Sequence, residues 1–180
     1  MRKKISFEIE IPEGVSCEYL DDVLECSKGE AKVNRKIFIP KTELKIEESK
    51  IILFCEKANR KNIAIMKTNL SHIKNIFKGL EEKFIYELEI CNVHFPMNCK
   101  LEGKNLIIDN FLGEKIPRKA KILEDIDVSI QGNKITVSGN NIEKAGQTAT
   151  NIEKATKFNN RDRRIFQDGI FITSKPGGPI

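Results

Sequence analysis

The chain has 180 residues, 39% of them hydrophobic and 32% charged, a balance that supports a packed core and excludes a disordered or fibrous polypeptide. Its 31 Lys and Arg against 26 Asp and Glu give a net charge of +5 and a pI near 8.9, which permits an anionic partner without demanding one. The longest apolar run, Ile51 to Cys55, is far too short to span a bilayer, and no membrane partner is expected.

The first residues, Met1 to Ile11, alternate apolar and polar like a strand and contain no apolar core of a signal peptide, so a soluble, intracellular protein is expected. Further strands are predicted over 4–11, 17–19, 23–26, 44–46 and 50–55, with a turn at Ser27-Lys28-Gly29. The five cysteines (Cys17, Cys26, Cys55, Cys91, Cys99) form no Cys-x-x-Cys pair and read as small buried thiols of a reducing compartment. A zinc site needs four convergent ligands, and His72 and His94 stand at unrelated spacing, so no metal site is expected. From Ile63, the residues Met66, Leu70, Ile73, Phe77 and Leu80 recur at three- and four-residue steps, the apolar stripe of a helix that Gly79 would end in a left-handed conformation.

Beyond residue 80 the pattern starts again. A shift of 84 residues lays Gly29-Glu30 on Gly113-Glu114, Leu44-Lys45-Ile46 on Val128-Ser129-Ile130 and Lys50 to Leu53 on Lys134 to Val137. Turns are predicted at Glu102-Gly103-Lys104 and Gln131-Gly132-Asn133. A second helix follows, with Ile142, Ala145, Ala149, Ile152 and Thr156 on one face and Asn140 with Glu143 as a capping box. Its small side chains would let it lie close to a sheet. The expected fold class is α+β, a tandem duplication of two small domains spanning 1–81 and 82–180, each a mainly antiparallel sheet with one packed helix.

Charge is concentrated after the second helix. Lys154, Lys157, Arg161, Arg163, Arg164 and Lys175 stand against Asp162 and Asp168, so 22 residues hold +4 of the total. Arginine's planar fork suits phosphate oxygens and stacks on bases, and Asn159, Asn160 and Gln167 add neutral donors. This segment lacks helical periodicity and reads as an RNA-binding arm, with a solvated C-terminal tail as the plainer alternative. A second basic cluster, Lys115, Arg118, Lys119 and Lys121 around Pro117, is read equally as a phosphate contact or an exposed hairpin loop. Asp125 and Asp127 would share one face of a strand, and His94-Phe95-Pro96 reads as a packed corner more readily than as a recognition loop. Asp168-Gly169 looks like a turn before the strand Ile170-Phe171-Ile172. The sequence contains no Ser/His/Asp set, glycine-rich phosphate loop or cysteine paired with histidine, so no catalytic residue, cofactor or enzyme activity is expected.

The run from Gly146 through Gln147, Ala149 and Asn151 to Thr156, followed by Phe166-Gln167-Asp168-Gly169-Ile170-Phe171-Ile172, resembles the C-terminal signature of the ribosomal protein L-six family of the large subunit. Asn110 to Lys115 and His94-Phe95-Pro96-Met97 are similar to its archaeal and eukaryotic branch. With the duplicated layout, the resemblance covers essentially the whole chain. It implies a structural constituent of the cytoplasmic ribosome that binds large-subunit ribosomal RNA near the sarcin-ricin loop and the stalk base. Neighbouring ribosomal proteins would be direct partners and translation factors indirect ones. Carried over residue by residue, it implies RNA contacts at Gln147, Asn151, Lys154, Lys157, Asn159, Arg161, Arg163, Arg164, Gln167, Asp168 and Gly169. The charge map adds Lys175, and Lys115, Arg118 and Lys119 form a secondary set. Arg163 stands where the family would place a proline, and the first helix is a loose match, so no RNA contact is assigned there. The alternative is a free-standing protein-interaction module with a solvated basic tail.

Overall fold

Alternation of apolar and polar residues becomes paired strands throughout the chain. This computed structural model describes residues 3–29, 31–37, 42–47, 49–162 and 164–179, and it divides into two compact units, Met1–Glu82 and Lys83–Ile180. In the first, β1 (Lys3–Glu10), β6 (Lys50–Ala58) and β5 (Glu43–Glu47) form one antiparallel sheet in the order β1-β6-β5. A second sheet, β2-β3-β4, is a meander of β2 (Ser16–Leu20), β3 (Val23–Lys28) and β4 (Ala31–Lys36). Every second residue of β6, Ile51, Leu53 and Cys55, is buried, as a sheet with one covered face requires.

Helix α1 (Arg60–Glu81) begins at Asn59, whose side chain accepts a hydrogen bond from the Asn62 amide at 2.8 Å. Its apolar stripe lies against the sheets, with Met66, Ile73, Phe77 and Leu80 in the core as the periodicity requires. Gly79 departs from expectation. It is a buried residue inside the helix, which runs on to Glu81 and ends as the Glu82 amide bonds the Lys78 carbonyl. It is therefore not a left-handed helix end.

The second unit repeats the layout. β7 (Phe84–Cys91), β12 (Lys134–Gly139) and β11 (Ile126–Gln131) pair as β1, β6 and β5 do. β8 (Asn98–Glu102), β9 (Asn105–Asp109) and β10 (Arg118–Lys121) repeat the meander. Gly29, between β3 and β4, and Gly113, in the 3-10 turn Phe111–Gly113 between β9 and β10, both have left-handed backbones, with φ of 61° and 79°. Glu30, the other residue of that repeat pair, lies outside the described residues. Each unit thus contains two sheets where one was expected, while the α+β duplication stands. Asp125, with φ 64°, precedes β11 and bonds Lys144 at 2.7 Å, whereas Asp127 bonds Lys83 at 2.8 Å, so the two carboxylates serve separate ion pairs.

Helix α2 (Ile142–Ala155) is capped by Asn141, one residue later than expected, through bonds from the Glu143 and Lys144 amides. Ala145, Ala149 and Ile152 are fully buried, and a Cβ added to Gly146 would stand 2.9 Å from the Tyr86 hydroxyl, so the small side chains do admit a close approach to the sheet. After α2 the second unit adds what the first lacks. The chain crosses over residues 156–168 and returns as β13 (Gly169–Lys175), which pairs with the free edge of β7 and then with β14 (Gly178–Pro179).

Both ends of that crossing are fastened. At its start the Thr156 hydroxyl donates to the Glu153 carbonyl at 3.1 Å and accepts from the Ile170 amide at 3.0 Å. At its end the Asp168 side chain is only 3% exposed and takes three donors: the amides of Val93 and His94 at 2.8 and 2.9 Å, and the His94 ring Nδ1 at 2.5 Å. Burial raises the Asp168 carboxyl, but the His94 amide and ring and the Val93 amide outweigh it and hold the group below its ordinary value. These bonds tie His94 to the crossing segment, but His94, Phe95 and Pro96 are all exposed, Phe95 by 47%, so the corner is anchored and not buried as a packed corner would be.

Truncating Ile152 to alanine empties a fully buried site and should cost about 2–5 kcal/mol in urea unfolding, with an unchanged denaturant slope. Asp168→Asn should cost about 1–3 kcal/mol near neutral pH, because charged acceptors make the stronger bonds. Since the folded carboxyl titrates below its ordinary 3.8, this stabilisation is present above that pH and is lost as pH falls through the folded value. Unfolding curves of the two proteins should therefore converge in acid, and a gap that persists there would show that the charge is not the cause.

Candidate nucleic-acid interface

Residues four and seven apart share one helix face, so Gln147, Asn151 and Lys154 form a stripe along α2. Gln147 donates to Asn151 at 2.8 Å, and Asn151 in turn donates to the Lys121 carbonyl of β10 at 3.1 Å. That bond brings the second basic cluster against the first. Lys119 is exposed on β10 on the same edge, and Lys115 is exposed in the preceding loop.

Arg118 has a different place. Its guanidinium donates to the Ala155 and Lys157 carbonyls, both at 3.0 Å, forms a fork with Glu114 at 2.5 and 2.7 Å, and lies 4.3 Å over the Phe111 ring. These bonds satisfy carbonyls at the C-terminal end of α2, where a cation also meets the negative end of the helix dipole. The hydrogen bond from Arg118 holds the Glu114 carboxyl below its ordinary value, with burial opposing, and Arg161 contributes by its charge. Arg118 thus fixes the helix end, and its side chain stays 25% exposed.

The crossing segment is built on aromatic rings. Phe158 packs 6.2 Å from Phe111 and 6.4 Å from Phe166, whose ring stacks on His94 at 5.1 Å. Arg161 lies 4.8 Å over the outer face of this array, at Phe166. The Asp162 carbonyl accepts from the amides of Ile165 and Phe166, and its carboxylate binds the Arg164 amide at 2.9 Å and the Arg164 guanidinium at 2.9 Å. That pairing lowers the Asp162 carboxyl, and Arg164 remains 90% exposed, so its guanidinium is held in place at the surface. Arg163 lies outside the described residues.

Lys154, Lys157, Asn159, Arg161, Arg164 and Gln167 are exposed around this platform. Lys154, Lys157 and Gln167 also line a cavity of about 600 Å³ whose floor is Phe158, Phe166, Ile170 and Phe171. Asp168 and Gly169 are buried beneath it. Asp168 is occupied by Val93 and His94, and a Cβ on Gly169 would stand 3.2 Å from the Phe171 ring, so both set the backbone path under the exposed residues. Lys175 stands apart: it is exposed at the far end of β13, six residues and about 20 Å along the strand from Gly169. The charge count singled out the cations but gave no role to Phe158, Phe166 and His94, which carry them. The spacing of aromatics at 158, 166 and 171 among polar residues was the available signal.

What remains facing solvent is an apolar platform edged by lysine, arginine and side-chain amides; of the acids around it, Asp162 pairs with Arg164, Glu114 with Arg118, Asp168 is bound by Val93 and His94, and Glu153 lines the cavity. Such a surface can accept phosphate oxygens at its cations. The profile of ribosomal protein L6 matches residues 95–169, which contain the crossing segment and part of the cavity lining. The chain is 45% identical to the large ribosomal subunit protein uL6 of Methanosarcina mazei over 97% of its own length and 99% of that protein's. It is 45% identical to uL6 of Methanococcus vannielii, with 94% and 93% covered, and 42% identical to uL6 of Haloarcula marismortui, with 94% and 95% covered. Similarity of this extent across both units places the chain in the ribosomal protein L6 family.

Proposed function

We propose that this protein is a structural constituent of the large ribosomal subunit, placed on large-subunit ribosomal RNA near the sarcin-ricin loop and the base of the stalk. It would work in the cytoplasm, as a scaffold and not as a catalyst, with neighbouring ribosomal proteins as further partners and translation factors meeting the RNA it positions. The observation that carries this reading is the cationic rim of the crossing segment, held on an aromatic platform, in a chain that belongs to a family of large-subunit proteins. Lys154, Lys157, Arg161 and Arg164 would neutralise phosphates and release counterions, giving most of the affinity. Gln147, Asn159 and Gln167 would fix position by hydrogen bonds, and Lys115 and Lys119 would extend the footprint along β10. Arg163 belongs to the same set by sequence, and Lys175 would touch RNA only if the footprint reaches the far end of β13. Asn151, Asp168, Gly169 and Arg118 support the surface from within.

The test is a salt titration of binding to a large-subunit RNA fragment that contains the sarcin-ricin loop, with the wild type beside Lys154→Ala, Lys157→Ala, Arg161→Ala and Arg164→Ala combined. The combined variant should bind more weakly, with a slope against log salt shallower by about 0.7 to 0.9 for each phosphate contact removed. Arg118→Ala should instead lower the unfolding midpoint. Equal binding and equal slopes would overturn the assignment and favour a protein partner for this surface.

A further inference from the structure

The first unit contains a pair of thiols whose geometry the ribosomal reading does not use. β2 and β3 are joined by the two-residue turn Asp21-Asp22, both with positive φ (49° and 62°), and Leu20 pairs with Val23. In a hairpin closed this way, hydrogen-bonded and non-hydrogen-bonded pairs alternate from the turn. Cys17 opposite Cys26 is three pairs beyond Leu20 and Val23 and is therefore a non-hydrogen-bonded pair, in which opposite side chains stand closest. Their Cα spacing in such a pair, about 4.5 Å, lies within the span a disulfide can bridge. The two sulfurs are already 3.0 Å apart and share a hydrogen bond.

The two thiols are not equivalent. Cys26 is fully buried in the core of the unit, whereas Cys17 is half-buried and lines a cavity of about 380 Å³ with Tyr19, Leu44 and Ile46. The bond from Cys26 lowers the Cys17 thiol against the opposing effect of burial, and the same bond, burial and the charge on Cys17 raise Cys26. Cys91 and Cys99 are raised by burial first and then by neighbouring carboxylates. Cys17 is thus set up as the attacking group and Cys26 as the resolving one.

We infer that Cys17 and Cys26 form a site of reversible oxidative modification, closing to an intramolecular disulfide by exchange with a low-molecular-weight disulfide of the glutathione type. The Cys17 thiolate attacks one sulfur of that disulfide and expels the other as a thiolate, leaving a mixed disulfide on Cys17. Cys26 then gives its proton to the first expelled thiolate, and its sulfur attacks that of Cys17 and expels the second small thiolate, which takes the proton that Cys17 released. Two protein thiols are oxidised, one small disulfide is reduced to two thiols, and the two protons lost by the protein end on them.

The folded full-length chain would be incubated with rising ratios of oxidised to reduced glutathione, quenched with an alkylating reagent and mapped by mass spectrometry. Titratable thiols should fall from the five of the sequence to three, with Cys17 and Cys26 linked and Cys55, Cys91 and Cys99 alkylated. Cys26→Ser should stop at a stable glutathione adduct on Cys17, and Cys17→Ser should leave Cys26 unmodified. Should either variant fail to fold, the wild-type order of thiol loss still decides. Five alkylated thiols throughout, a glutathione adduct persisting on wild-type Cys17, or earlier loss of Cys91 or Cys99 would each overturn the inference.

Discussion

A carboxylate removed from water must recover its hydration from protein donors, and Asp168 does so with two backbone amides and an imidazole that all come from one short corner, Val93 to His94. The bonds fasten the last residue of the crossing segment to the end of β7, beside the place where β13 joins that strand. His94 is thereby positioned to stack on Phe166, and Phe166 supports Phe158 and Arg161 in turn. A chain of contacts thus runs from one buried charge to the outermost cations. The surface charges are ordered because the layer beneath them has few alternatives.

Duplication explains why this happens in one unit and not in the other. Both units pair a three-strand core, β1-β6-β5 or β7-β12-β11, with a three-strand meander and one helix, and in the second unit β13 and β14 extend that core to a five-strand sheet. Only the second continues after its helix, and an unpaired edge of β7 gives the continuing chain backbone groups to bond. The residues between helix and returning strand must then cross the surface. A crossing of this kind exposes polar side chains while its own backbone is held at both ends, here by Thr156 and Asp168. The basic segment lies in the part that the duplication left over.

Arg118 and Arg164 show how one residue type divides between support and display. Arg118 is drawn inward because the carbonyls that end α2 need donors and Glu114 offers a matching fork. The Arg164 guanidinium bonds Asp162 and stays almost wholly exposed. Charge counting treats the two alike. Their difference lies in which acceptors the fold leaves unsatisfied nearby.

Period and composition alone determined much of this protein. The α+β duplication follows from an 84-residue repeat and from apolar stripes of period two and 3.6, since burial of one face per element leaves that record in the sequence. The basic segment after α2 was legible because charge density is a local property. Helix ends were less so: Asn141 and not Asn140 caps α2, and Gly79 lies within α1, because a cap is chosen by packing as well as by residue type. Only the tertiary structure decided that Asp168, Gly169 and Arg118 face inward, that β10 lies beside α2, and that Cys17 stands opposite Cys26. Each depends on which residues the fold brings together, such as Val93 and Asp168 at a separation of 75, and such a pairing leaves no periodic trace in the sequence.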